Sequence, residues 1–360
     1  MDTSDPDITF DEDGHCNHCR TFYEVTRREW FPNEEGGRRW SEWVERIKAE
    51  GRGGEYDCII GISGGVDSAY MAYRLKEYGL RMLAVHVDGG WNSEVAVKNI
   101  EMLVKKLDLD LFTYVVDWEE MQDLQLAFLR ASVANQDVPQ DHVFFAQLYR
   151  QATQHGIHYF LSGGNIATEC ILPPSWGYIA MDRRHLRAIH NRFGQRPLKS
   201  FPQVGFWRMY FWNPYVRRFR ILRPLNFMPY VRDQAKEELA KAIGWRDYGS
   251  KHHESTFTRF FQSYYLPVRF GFDKRRAHLS SQIVTGQTAR ERALDELKDL
   301  PYDPATIEED KRYIAKKLGL TLDEFQAIIK LPPRTNRDYP SNEWLFVMKD
   351  FIKHYLASRS

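Results

Sequence analysis

The chain is expected to be an α/β protein built on a parallel, doubly wound sheet, with a basic aromatic insertion and a C-terminal helical appendage. Two observations predict this. Apolar strand runs alternate with helical spacing through the first half, and two of those runs end in glycine-rich turns of the kind that open sheets present to ligands at their carboxyl edge. The size agrees: 360 residues, 43% of them hydrophobic, can bury a full core in one large domain with smaller additions.

Asp57 to Ile62 is a strand that breaks at Ser63-Gly64-Gly65. A helix begins beyond Asp67-Ser68 and runs from Ala69 to Tyr78 through Met71, Ala72 and Leu75, with Gly79 placed to cap it in the left-handed region. Arg81 to Val87 is the next strand, and its end puts Asp88 of Asp88-Gly89-Gly90 at the carboxyl edge of the sheet. A helix from Glu94 to Leu107 and a strand from Leu111 to Val116 follow. Ile157 to Ser162 is a further strand, ending in Gly163-Gly164-Asn165. This order argues for right-handed crossovers that bring both glycine-rich turns to one rim.

The first turn is the chemical centre of the reading. Gly64 and Gly65 lack a Cβ, so the backbone can approach a ligand closely, and the N–H groups and hydroxyls at the helix start favour anionic oxygens. The loop is not a Walker A, which spaces its glycines by four residues and follows them with Lys-Ser/Thr. The pattern S-G-G-x-D-S resembles instead the PP-loop of ATP pyrophosphatases, with their adenine nucleotide alpha hydrolase-like fold, which cleave ATP between the α- and β-phosphates. The resemblance implies adenylation chemistry, with ATP contacted by Ser63, Gly64, Gly65, Val66, Asp67 and Ser68, by Asp88, and by Gly163, Gly164 and Asn165. It also implies Mg²⁺ at Asp67, whose carboxylate would otherwise repel the phosphates.

Composition narrows the alternatives. No apolar run approaches the roughly 20 residues that span a bilayer, and Met1-Asp2-Thr3-Ser4-Asp5 is acidic where a signal peptide is basic, so a cytoplasmic chain without a membrane span is expected. Cys16, Cys19, Cys58 and Cys170 are too few and too uneven for a disulfide scaffold. A net charge of +1 argues against nucleic acid as the principal partner. Residues 183–223 stand apart: eleven of these 41 residues are Lys or Arg and none is acidic, with Phe206, Trp207, Tyr210, Phe211, Trp212, Tyr215 and Phe219 interleaved. Such a stretch could stack RNA bases, line a nucleotide-sugar site, dock an acidic partner, or simply pack as a basic surface insertion. Beyond it, Asp233 to Ile243, Glu308 to Leu318, Leu322 to Ile329 and Trp344 to Tyr355 have helical spacing. The expected division is an N-terminal cysteine-containing segment at 1–45, the ATP pyrophosphatase domain at 46–300 and a helical region at 301–360.

Two later clusters, Lys251-His252-His253-Glu254-Ser255-Thr256-Phe257-Thr258-Arg259-Phe260 and Asp273-Lys274-Arg275-Arg276-Ala277-His278-Leu279-Ser280-Ser281, are rich in charge and small hydroxyls. Together with Asp2 to Arg20, the loop itself, D-G-G-W-N-S-E within Val87 to Ile100, and Ser162 to Cys170, they make the chain resemble the N-acetyl sugar amidotransferases of bacterial surface-polysaccharide synthesis, known from O-antigen and pseudaminic acid pathways. The resemblance implies an ATP-dependent ligase of lipopolysaccharide O-antigen or related glycan synthesis. It would convert the acetamido group of a nucleotide-activated N-acetyl sugar to acetamidino through an adenylated intermediate. Asp67, Lys274 and Arg275 are its catalytic candidates, the two cations neutralising charge on the transferred phosphoryl group. Neither Cys58 nor Cys170 has a nucleophile elbow around it, and the family implies that ammonia comes from a partner glutaminase with a cyclase-like subunit.

The N-terminus departs from the family pattern. Relatives carry a C-x-x-C pair ahead of this stretch and a second pair after it; here only Cys16-Asn17-His18-Cys19 is present, so either the start is internal or half the site is lost. Cys16 and Cys19 make a half-site for Zn²⁺, which needs two more ligands, and His15 and His18 share the same short turn. Two other classes of function stay open: a PP-loop tRNA-modifying enzyme of the thiolation or lysidine type, and a non-catalytic adenine-nucleotide-binding module.

Overall fold

A computed structural model of the chain describes residues 1–249 and 254–349. Its centre is a five-stranded, wholly parallel sheet: β1 (Cys58–Gly61), β2 (Met82–Asp88), β3 (Asp110–Val115), β4 (Tyr159–Leu161) and β5 (Arg220–Leu222), in the order β3-β2-β1-β4-β5. The chain walks outward from β1 to β3 and then returns to build β4 and β5 on the other side. The strand order therefore reverses between β1 and β4, and such a switch point opens a crevice at the carboxyl ends.

Helices cover both faces, which is why every residue of β1 is buried and apolar or glycine. The pleat sends Cys58 and Ile60 to one side, where they join Met82, Ala84 and Leu161. Trp40 and Ile47 of Glu34–Glu50, Met71 and Leu75 of Val66–Lys76, Leu103 of Glu94–Leu107 and Leu239 of Arg232–Ile243 complete that core. Ile59, Leu83, Val85 and Phe160 point the other way, onto Leu148, Tyr149 and Ala152 of Val138–Gln154. At the edge, β3 leaves Leu111 and Val115 exposed.

A further core is helical. Phe128 of Trp118–Ala131, Phe257 and Phe260 of Thr256–Phe260, Ile314 of Pro304–Lys317 and Phe325 of Leu322–Ile329 pack together, so the C-terminal helices share their interior with elements from the middle of the chain. Of the helix expected from Trp344 to Tyr355, residues 344–349 are helical and 350–355 lie outside the described residues.

The segment 183–223 is more integral than a surface insertion. Asp182 Oδ1 accepts the Arg184 and His185 N–H groups and starts the helix Arg183–Phe193, which buries Leu186 and Ile189 in the helical core. Arg220–Leu222 is β5 itself, paired with β4 from Tyr159↔Arg220 to Leu161↔Leu222. The three residues of Arg220–Leu222 carry too short an apolar pattern to read as a strand; the pairing comes from the tertiary fold. Trp207, Phe211, Trp212 and Tyr215 do remain on the surface, 67%, 55%, 49% and 74% exposed.

Candidate active site

The loop after β1 is braced from several directions. Gly64 has φ +83°, and a Cβ there would meet the Ala96 carbonyl oxygen at 2.6 Å, so both its conformation and its neighbour require glycine. Its own carbonyl accepts from Trp245 Nε1 at 3.1 Å and Asn99 Nδ2 at 3.4 Å. Ser63 Oγ accepts the Gly65 N–H at 3.2 Å and donates to Glu254 Oε1 at 3.4 Å. Ser68 Oγ accepts the Ser63 N–H at 3.4 Å and donates to the Gly65 carbonyl at 3.1 Å. The Val66 N–H, in the first turn of the following helix, donates to the Tyr248 hydroxyl at 3.1 Å.

The second glycine-rich turn meets the first. A Cβ on Gly163 would lie 2.9 Å from the backbone of Ser68, so the two loops touch as expected. Asn165 is buried and shapes this turn: its Oδ1 accepts the Thr168 N–H at 2.9 Å and its Nδ2 donates to the Gly163 carbonyl at 3.3 Å. Gly164 donates its N–H to Ser162 Oγ at 3.2 Å. Asp67 accepts a hydrogen bond from Tyr230, whose buried hydroxyl is held well above the usual phenol range by burial and by that carboxylate.

Asp88 also acts on local geometry, accepting the Gly90 N–H at 2.8 Å and Asn92 Nδ2 at 3.2 Å. His86 Nδ1 donates to the Ile62 carbonyl at 3.0 Å, and its Nε2 lies 3.1 Å from Asn92 Nδ2. Two sequence motifs then zip together: Ser93 donates its N–H to the Glu254 carbonyl at 2.8 Å, and Thr256 donates its N–H to the Trp91 carbonyl at 2.9 Å.

Between loop and helices opens a cavity of about 700 Å³, with Ser63, His86 and Asn92 on the sheet side and Asp137, Asp141 and Lys274 opposite. That volume suits a small-molecule ligand. Asp137 is buried and accepts from Thr258 Oγ1 at 3.1 Å and Gln140 Nε2 at 3.0 Å; burial raises its pKa, against the opposing pull of Lys274. Asp141, one helical turn on, is exposed on the cavity wall, where the protein packed around it and the neighbouring Asp137 push its pKa up to about 7. Lys274 lies with its Nζ 5.5 Å over the Phe261 ring; burial lowers its pKa, opposed by Asp137, Asp141 and Glu169. A cation facing two carboxyls whose pKa values are raised can offset phosphoryl charge and move protons at the same place.

Arg275 takes no part in this wall. Its Nη2 pairs with Asp273 Oδ2 at 2.7 Å, and its guanidinium donates to the Glu296 carbonyl at 3.3 Å and the Asp299 carbonyl at 3.0 Å. One residue along a helix is a turn of roughly 100°, which separates it from Lys274. Asp137 and Asp141 went unread in the sequence, although their i, i+4 spacing at the start of a helix with Pro139 in its first turn was a usable signal. Lys251, His252 and His253 of the conspicuous cluster lie outside the described residues.

The zinc expectation is corrected. Cys16 Sγ and Cys19 Sγ stand 3.6 Å apart, but His18 Nε2 is hydrogen-bonded to Asp5 Oδ2 at 2.7 Å and His15 turns to Asp11 at 3.9 Å. Among the described residues no group of three or more His, Cys, Asp or Glu could hold a metal. Nor, among them, is any helix long and apolar enough to cross a membrane.

Comparison with known proteins adds three findings. Residues 254–352 match the family model described as LPS biosynthesis protein WbpG-like, C-terminal domain. A tRNA(Ile)-lysidine synthase of Chlamydia pneumoniae is 34% identical over 190 residues, 52% of this chain and 49% of that protein, so the chain spans about half the length of the curated relative it matches. Among solved structures, an NMN synthetase from Francisella tularensis is similar at a TM-score of 0.37 with 14% identity, covering 78% of this chain and 96% of that one. An NH3-dependent NAD synthetase from Campylobacter jejuni is similar at 0.34 with 15% identity, covering 78% and 95%.

Proposed function

We propose that the chain is an ATP-dependent amidotransferase that turns the acetamido group of a nucleotide-activated sugar into an acetamidino group, in the synthesis of a bacterial surface polysaccharide. One observation carries the reading: Ser63, which opens the glycine loop, lines the same cavity as Lys274, Asp137 and Asp141. The match of residues 254–352 to a domain of lipopolysaccharide synthesis supports a sugar as the second substrate.

An acetamido carbon is a poor electrophile and its oxygen a poor leaving group. Attack of the amide oxygen on the α-phosphorus of ATP forms an O–P bond and expels pyrophosphate, giving an imidoyl adenylate; ammonia then adds to the carbon, loses a proton and displaces AMP. The loop holds the β- and γ-phosphates through N–H groups and hydroxyls of Ser63 to Ser68, and Lys274 offsets charge that grows on the phosphoryl group. Asp141, with its pKa near 7, accepts the proton that ammonia sheds. Mg²⁺ is commonly held by one or two carboxylates plus substrate phosphates, a demand that the Asp67 carboxylate fits; bound there it would draw charge from the phosphates. Ammonia would come from a separate glutaminase and cyclase-like subunit.

The test is an incubation with ATP, Mg²⁺, ammonium and a panel of nucleotide-activated acetamido sugars, read by mass spectrometry. AMP, pyrophosphate and a sugar product lighter by the difference between O and NH are expected; ADP and phosphate contradict the mechanism. The identity to a lysidine synthase favours a second reading, tRNA modification, with the groove beside Arg187 as its basic surface. Salt-dependent tRNA binding with release of AMP only when tRNA is present would establish that reading instead.

A further inference from the structure

Glu254 lies 191 residues beyond Ser63 in the chain, yet its carboxylate reaches the loop after β1. The backbone around it is pinned. Its carbonyl accepts the Ser93 N–H at 2.8 Å, Ser255 bridges to Asn92, and Ser255 Oγ accepts the Thr258 N–H at 3.2 Å to start the helix Thr256–Phe260. From there Glu254 lines the cavity together with Ser63 and Lys274. Its Oε1 accepts the Ser63 hydroxyl at 3.4 Å, and that hydroxyl in turn accepts the Gly65 N–H at 3.2 Å. The bare side of Gly65 shows what gathers at this point: a Cβ there would stand 3.0 Å from Glu254 Oε1, 3.1 Å from Ser63 Oγ and 3.2 Å from the Tyr248 hydroxyl. Burial, and then Glu254 itself, raise the pKa of Tyr248, so its hydroxyl stays neutral. Three oxygens ring one side of the loop, and the carboxylate is Glu254's.

A serine hydroxyl needs only a neutral acceptor, which an amide oxygen supplies as well. A carboxylate in a loop that receives phosphates instead repels them, unless a cation lies between. Mg²⁺ suits such a place, because it takes hard oxygen donors and is commonly held by one or two carboxylates together with substrate phosphates. We propose that Glu254 is a ligand of the Mg²⁺ that accompanies ATP, a second carboxylate in addition to Asp67, and that it makes the loop take magnesium-bound phosphates in preference to free ones. This inference rests on the reading of the loop as a pyrophosphate cradle.

The experiment titrates pyrophosphate calorimetrically into the native chain, Glu254→Gln and Glu254→Asp, once with excess Mg²⁺ and once in EDTA, beside thermal melts without ligand. The native chain is expected to bind the magnesium form more tightly. Glu254→Gln keeps an acceptor for Ser63, so it should bind the magnesium form roughly 10-fold more weakly, through loss of a group that holds the metal, and the metal-free form about 5-fold more tightly, because the repulsion has gone. Opposite shifts of the two forms are the mark of a ligand. Tightening of both would make the carboxylate a plug, weakening of both would make it a support of the loop's shape, and no change would leave it without a role in binding; each of these overturns the assignment. Equal native affinity for the two forms overturns it too. Should Glu254→Gln fail to fold, Glu254→Asp decides: a weakened magnesium complex still preferred over the metal-free one supports the assignment, and any other pattern contradicts it. If the native chain binds neither ATP nor pyrophosphate, with or without Mg²⁺, the reading of the loop fails and this inference with it, whereas binding that ignores residue 254 removes the inference alone.

Discussion

The cavity beside Ser63 and the groove beside Arg187 are of comparable size, about 700 and 900 Å³, but are built on opposite principles. The cavity sets Lys274 against Asp137 and Asp141, so each group's charge depends on the others. The groove gathers Arg183, Arg184, Arg187, Arg192 and Arg208 around Trp207, and among the described residues no carboxylate lines it. Mixed charge along a wall tunes proton affinity, which chemistry uses; like charge along a wall raises a field, which docking uses. On the proposed function, the first would serve catalysis and the second the encounter with an anionic surface.

Six variants break or sharpen that contrast. Ser63→Ala and Asp67→Asn should each cost about 10²–10³ in turnover with little change in melting temperature, because both alter a ligand loop and leave β1 intact. Near-normal rates in both, with folding verified by circular dichroism, would detach the cavity from the chemistry. Next come the sequence neighbours Lys274 and Arg275. Lys274→Met should lower turnover by a similar factor, whereas Arg275→Met should keep most of the rate and melt earlier, since Asp273 and two backbone carbonyls lose their donor. The reverse pattern in a kinetic and melting comparison would mean that the assignments of the two side chains are exchanged.

Charge reversal in the groove is the gentler probe. Arg184→Glu with Arg187→Glu should leave ammonium-driven turnover unchanged while weakening glutamine-driven turnover with the partner subunits in a salt-dependent manner. A loss of the ammonium-driven rate would make the groove part of the active site. The smallest effect is expected at Asp141. Its folded pKa, about 7, lies above the unfolded value of about 3.9, so the stability it contributes is fully present below the unfolded value and is lost as pH rises through 7. Asp141→Asn lacks that loss, and its melting temperature should gain on the native chain between pH 5 and pH 8, modestly because the carboxyl is open to the cavity. A constant difference across that range would show that Asp141 titrates normally.

How much of this was legible depends on where the constraint resides. The loop from Ser63 to Ser68, β1, β2 and β4 were readable because each pairs an apolar run with a local backbone demand, such as the positive φ of Gly64. The contact of Gly163 with Ser68 followed from sheet topology alone. β5 was not readable, since three residues among arginines acquire strand character only by pairing with β4. The opposite fates of Lys274 and Arg275 depend on Asp273 and on carbonyls at 296 and 299, which sequence adjacency does not reveal. Asp88 and Asn165 were placed at the right turns, but their hydrogen bonds are spent on shaping those turns.

The central claim is that the loop and its cavity adenylate a sugar amide. Its most direct test is exchange of labelled pyrophosphate into ATP by the purified chain, without ammonia, in the presence and absence of nucleotide-activated acetamido sugars. The account predicts exchange that requires an acetamido sugar and vanishes in Ser63→Ala. Exchange that needs tRNA instead, or ATP turnover to ADP regardless of sugar, would contradict it.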